Sequence, residues 1–227
     1  MRSWIGTLVA GMLLSSMAQA TIISGTIEDI AGVSAEAFDQ GGIFKKLTVS
    51  EINAFGGVGN DTLEQPNLFA FDEEQNVVTA NAFNYNLGPG GGSGTLAAGT
   101  LAASHYIAWD PAGSLRVRGT VTFDAEILAI FTQSATMAAT DVLANTGVTY
   151  LDPGFRGLES GDSVEIIAPD TIRVDFRAGT PGDYIRVFTA KSELAVPAPT
   201  SILLLLAGML LSLAARSTIR PSRSDSA

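Results

Sequence analysis

The sequence predicts an all-β fold: a β-sandwich or jelly-roll-like domain between an N-terminal signal peptide and a C-terminal transmembrane helix. Three observations carry this. Residues 115–123 and 171–177 alternate apolar and polar residues, the period of a strand with one face on a core and the other in water. Glycines and prolines fall between such stretches as turn residues, and no long helical repeat intervenes. Finally, a chain of 227 residues with a formal charge of −10 still has a mean hydropathy of +0.28, because its apolar residues crowd into the two ends.

The first end is residues 1–20. Arg2 gives a positive start, Trp4 to Leu14 is an uncharged apolar run, and Ala18-Gln19-Ala20 is a small-x-small site. That order predicts a secretory signal peptide, removed so that the mature chain starts near Thr21. Its partners are the Sec translocon and signal peptidase. The other reading, an N-terminal membrane anchor, asks for a longer apolar run.

Residues 21–194 form the predicted β-domain. Nine basic residues stand against 22 acidic ones, a formal charge of −13. Such a balance argues against nucleic acid as a partner, since neutralising phosphates takes clustered Lys and Arg. With no cysteine, disulfides, zinc–thiolate sites, iron–sulfur clusters and a cysteine nucleophile are excluded. The predicted strands are 21–27, 43–49, 77–80, 104–109, 115–123, 126–132, 164–167, 171–177 and 183–189. Short helices are predicted at 34–38 and 138–144. Ala168-Pro169-Asp170-Thr171 reads as a hairpin turn, and Gly179-Thr180-Pro181-Gly182 as another. The glycine-rich stretch 87–94 reads as a flexible loop inside one domain. A domain of about 175 residues buries enough apolar surface to fold without staples.

The other apolar end follows residue 194. Residues 202–215 are a dense uncharged run, with Arg216, Arg220 and Arg223 behind it. Fourteen helical residues reach about 21 Å, short of a hydrocarbon core of roughly 30 Å, and counting back to Val196 closes the gap. The basic tail would stay cytoplasmic. An exported N-terminus and a cytoplasmic C-terminus agree with each other.

Ahead of that run stands Val196-Pro197-Ala198-Pro199-Thr200-Ser201. A Pro-x-Pro motif with a following Ser, an apolar helix and an Arg end resemble the PEP-CTERM sorting signal of Gram-negative bacteria. The resemblance covers residues 195–220, with 221–227 as a basic and polar tail. It implies an exosortase-type processing enzyme, transient tethering in the inner membrane, then a place at the cell surface or outside it, often with exopolysaccharide. The sorting residues it marks are Val196, Pro197, Ala198, Pro199, Ser201 and Arg216. Ala198 stands where the family usually has Glu, and Arg216 is single where arginines are often paired. An ordinary C-terminal anchor is the other reading. The middle of the chain also resembles an uncharacterised all-β domain often found ahead of such signals. The stretches that carry this are Asn60-Asp61-Thr62, Pro66 to Glu73, Gly99-Thr100, Ser104-His105-Tyr106, Asp110-Pro111, and Gly182-Asp183-Tyr184-Ile185-Arg186-Val187. It implies a surface module without a known activity.

Candidates for chemistry are few. His105 is the single histidine, and the nearest approach to a G-x-S-x-G elbow, Gly91 to Thr95, ends in Thr. A triad is therefore not expected, and His105 reads as a structural or surface residue. Paired carboxylates are the requirement for glycoside hydrolysis, but the acids are expected mostly on polar strand faces and loops. Gly56-Gly57-Val58-Gly59-Asn60-Asp61 fits one calcium-binding nonapeptide, in which Asp61 is the ligand. That chemistry works in stacked copies, and there is one. Asn60-Asp61-Thr62 is also an N-x-T sequon. Trp109, Tyr106, Tyr150 and Tyr184 are a candidate sugar-stacking platform, though aromatics on strands usually belong to a core. The expectation is a non-enzymatic exported protein with no catalytic residue and no resident metal or cofactor, calcium at Asp61 being the weak exception. The alternatives are a secreted carbohydrate-binding module and, further off, a glycoside hydrolase.

Overall fold

The two stretches that alternate most cleanly in sequence are hydrogen-bonded neighbours in the computed structural model, which describes residues 20–31 and 43–191. The strands are β1 (Ile22–Ala31), β2 (Phe44–Lys46), β3 (Leu68–Asp72), β4 (Val77–Val78), β5 (Phe83–Tyr85), β6 (Gly94–Leu96), β7 (Leu101–Trp109), β8 (Leu115–Phe123), β9 (Ile127–Phe131), β10 (Ser163–Ala168), β11 (Thr171–Ala178) and β12 (Asp183–Ala190). With about 47% strand and 11% helix, the fold is all-β. All described residues lie in one compact unit, Ala18–Leu194. Ala18, the predicted helix at 34–38 and the sorting residues Val196, Pro197, Ala198, Pro199, Ser201 and Arg216 lie outside the described residues. So does the predicted transmembrane run, and among the described residues no helix is long and apolar enough to cross a membrane.

One sheet has the order β1-β8-β11-β10, antiparallel throughout. Its inner face is Val117, Val121, Phe123, Ile172, Val174 and Phe176, all fully buried. Its outer face carries Arg116 and Arg118 against Asp175, at 2.5 and 2.9 Å. Here the sequence pattern and the structure coincide, because one face meets water and the other does not.

The second sheet runs β2-β3-β7-β12-β9, with β4 also on β7. One of its faces packs Ile107, Trp109, Ile185 and Val187 against the first sheet in a shared core. Its other face carries Phe69, Tyr106, Ala108, Tyr184 and Phe188. Those residues pack under Ile52, Met137, Leu143 and Val148 from the helices and connections. The central strands β3, β7 and β12 are thus buried on both faces. This is why Leu68-Phe69-Ala70-Phe71 shows no alternation and gave no predicted strand. Each large apolar side chain enclosed this way stabilises the fold by about 1.5–3 kcal/mol.

Two departures concern local signals. Residues 43–49 do not form one strand: β2 stops at Lys46, and helix α1 (Val49–Ala54) begins at Val49. Thr48 caps it, and Glu51 returns a carboxylate bond to the Thr48 N–H at 2.8 Å, the reciprocal capping box of a Thr-x-x-Glu sequence. The predicted helix at 138–144 appears earlier and divided, as α2 (Ser134–Ala139) and a 3-10 turn at Asp141–Leu143. The glycine-rich stretch closes the β5–β6 hairpin, with Gly94 already in a strand.

Candidate functional site

The doubly buried sheet encloses charge as well as apolar surface. Successive residues of β12 point to opposite faces, so Tyr184, Arg186 and Phe188 share the helix-covered face. Arg186 is fully buried there. Its Nε donates to Glu73 Oε2 at 2.6 Å and its Nη2 to Glu73 Oε1 at 2.8 Å. Its Nη1 donates to the Met137 carbonyl, the Thr140 hydroxyl and Asp141 Oδ1 at 2.8 to 3.0 Å. Glu73 also accepts from Ser104 at 2.5 Å and from Tyr150 at 2.6 Å. Arg156, itself buried, closes a two-pronged bond on Asp141 at 2.8 Å. The guanidinium of Arg186 lies over the Tyr106 ring, 5.6 Å from its centre.

Two carboxylates and two guanidiniums balance in charge. Burial works against the charge on Arg186, but the charge and hydrogen bonds of Glu73 outweigh it and hold its pKa above the ordinary value. Burial, then the charge of Glu73, pushes the Tyr150 hydroxyl up. For Asp141 burial opposes ionisation, yet hydrogen bonds from Arg156 and Arg186 keep it below the usual carboxylate range. Each guanidinium nitrogen of Arg186 is hydrogen-bonded inside the protein. The quartet therefore fixes α2 and the Glu73 segment onto the sheet and offers no free group to a substrate.

His105 lies on the opposite face of the same sheet. It bonds Asp72 Oδ1 through Nδ1 at 2.8 Å and the Thr189 hydroxyl through Nε2 at 3.0 Å. The order hydroxyl, imidazole, carboxylate is that of a hydrolytic triad. Thr189 and His105 are both fully buried, and the imidazole packs 4.9 Å from the Phe123 ring. No substrate carbonyl reaches the Thr189 hydroxyl in that position. Asp72 is half-buried, which opposes its charge. Hydrogen bonds from His105, Lys46 and Thr21 more than offset this and set it far below the usual range.

Among the described residues most acids are half-buried or exposed, in line with the expectation, and three are exceptions. Glu73, Asp110 and Asp183 are buried. Asp183 opens β12, and burial together with the charges of Asp162 and Glu159 pushes it up to about 8. It sits near a surface cavity of about 210 Å³ lined by Arg116, Glu159, Ser160, Gly161, Asp162 and Arg177. Asp110 accepts from the Leu63 N–H at 3.0 Å, and burial, joined by the charge of Asp61, raises it. Asp61 sits in a loop where Gly56, Gly57, Gly59, Asn60 and Asp61 all take positive φ. Among the described residues, no three His, Cys, Asp or Glu side chains gather where a metal ion would bind.

For the aromatic residues the core reading holds over the platform. Trp109, Tyr106 and Tyr184 are buried, with Trp109 in the core between the sheets and the two tyrosines on the other face. Only Tyr150 is partly open, and it faces Tyr106 at 5.5 Å. These rings are core, not a sugar-stacking surface. Neither Glu73 nor Arg186 figured among the site residues read from sequence. The signal for both was a charged residue inside or beside a run of apolar ones, as in Tyr184-Ile185-Arg186-Val187-Phe188. Comparison with family models, with curated proteins and with solved structures finds no match.

Proposed function

We propose that this chain is an exported, non-enzymatic surface or matrix protein, sorted and processed through its C-terminal signal and associated with exopolysaccharide. One observation carries this reading: the order of parts along the chain. A signal peptide with an Ala-x-Ala site precedes an acidic β-domain, and a Pro-x-Pro motif, an apolar run and arginines follow it. A compact sandwich-like domain stable without disulfides suits life outside the cell. The internal bonding of the Glu73–Arg186 quartet and the sealed surroundings of His105 support a structural role for both. Surplus negative charge keeps such a domain soluble in a hydrated matrix.

The test is deletion of residues 197–227 in a host that carries an exosortase. The truncated protein is expected in the medium, without C-terminal processing and without cofractionation with the cell envelope. Unchanged processing and location in the truncated form would overturn the sorting reading.

A further inference from the structure

The edge where β1 enters its sheet carries an arrangement of charge that removal of the signal peptide would complete. Thr21 donates its backbone N–H to Asp124 Oδ1 at 2.7 Å and accepts the Asp124 N–H at 3.0 Å on its carbonyl. Its hydroxyl donates to Asp72 Oδ2 at 2.7 Å, and the next N–H, of Ile22, donates to Asp72 Oδ1 at 3.0 Å. Lys46 pairs with Asp72 Oδ2 at 2.6 Å and donates to the Thr21 hydroxyl and to the Ile22 carbonyl. His105 reaches Asp72 from the core side. Among the described residues, Asp124 has no hydrogen bond to its carboxylate other than that of the Thr21 N–H. Two carboxylates thus face one lysine across a threonine that directly follows an Ala-x-Ala site.

We propose that Asp124, with Asp72, is the seat of the α-ammonium group of the mature chain. The proposal rests on the processing reading above. Signal peptidase hydrolyses the Ala20–Thr21 amide with one water, leaving a carboxylate on Ala20 and an amine on Thr21. At neutral pH the proton released by the new carboxyl stays on the amine, so the product at Thr21 is –NH₃⁺. The neutral amide–carboxylate bond becomes an ion pair with the same geometry, and such charge-assisted bonds are roughly twice as strong as neutral ones. Asp72, Asp124, Lys46 and the α-ammonium then sum to zero. The other charged groups on packed elements point elsewhere. Asp170 turns its carboxylate to the Thr171 hydroxyl at 3.0 Å and offers only its carbonyl to β8. Glu126 likewise contributes its carbonyl, to the Ala190 N–H. Ala20 is 1% exposed in the fold, so cleavage belongs before this edge closes. Export and folding are thereby ordered: the edge reaches charge balance only after the signal is gone.

The experiment uses the exported full chain. Mass spectrometry of the intact protein and its N-terminal peptide reads the first residue, expected to be Thr21. Labelling of the α-amine by an acylating reagent, read on the N-terminal peptide, is then followed between pH 6 and 9.5. An unpaired α-amine titrates near 8. Held by Asp124, it should titrate at least tenfold later in proton concentration. Because the folded value is raised, the added stability is full below the unfolded value and is lost as pH rises through the folded one. The melting temperature of wild type should therefore fall over this range, and that of Asp124→Asn should start lower and stay flatter. A first residue other than Thr21 overturns the processing reading. A Thr21 start with an α-amine that titrates near 8, or with the same melting profile in Asp124→Asn, overturns this proposal alone. Should Asp124→Asn fail to fold, labelling of the wild type still decides.

Discussion

Arg186→Met is the substitution that most directly tests the buried quartet. Methionine nearly matches the length of the arginine stem and leaves the core filled, so the loss is electrostatic. It removes two N–H bonds from Glu73 and three from the Met137, Thr140 and Asp141 acceptors. Glu73, whose side chain is 0% exposed, keeps Ser104 and Tyr150 among the described residues. Stripping one partner from a buried ion pair destabilises by about 3–5 kcal/mol, because the remaining charge stays out of water. For a domain of this size that is a fall in melting temperature on the order of 10 °C. Glu73→Gln in the same chain removes the stranded charge and should return a large part of the loss. Urea unfolding followed by the fluorescence of Trp109, buried between the sheets, measures all four members of the cycle. A single-variant loss below about 1 kcal/mol, or a double variant equal to the sum of the singles, would refute the coupling.

Three further outcomes are expected. Asp183 is raised to about 8, so wild-type stability should decline from about pH 4 to 8 by a few kcal/mol; Asp183→Asn should match wild type at pH 4 and exceed it at pH 9, whereas parallel profiles would deny the buried charge. Gly59 has φ of +108° and an added Cβ would lie 2.6 Å from the Leu151 carbonyl, so Gly59→Ala should cost about 1–3 kcal/mol in urea unfolding, and a neutral result would mean the loop moves freely. Thr48→Ala removes the cap of α1 and should cost about 1 kcal/mol, while a Thr48→Ser control stays near wild type.

How much was legible depends on where each strand meets water. Strands β8 and β11 announced themselves through alternation, and the turn Pro169-Asp170 between β10 and β11 through its residue types. Strand β3 did not, because both its faces are covered and no polar residue marks a solvent side. The cap at Thr48 was readable in principle from Thr-x-x-Glu, but a neighbouring β-like run, Ile43 to Val49, masked it. The candidate site was less accessible. Glu73, His105 and Arg186 are ordinary charged residues in sequence, and burial gives them their character. That burial comes from strands lying 31 to 113 residues apart along the chain.

The sequence alone determined the parts that act through local composition. These are the charge balance of the domain, the absence of cysteine chemistry, the strands with one wet face, and the uncharged apolar run at each end of the chain. Only the tertiary structure decided which sheet is covered twice and that the aromatic residues are core. It also decided that the histidine with a triad's neighbours is sealed, and that Thr21 meets Asp124 across 103 residues of chain. Such pairings follow from strand order and register, and these are set by the packing of whole faces against one another rather than by any neighbouring residue.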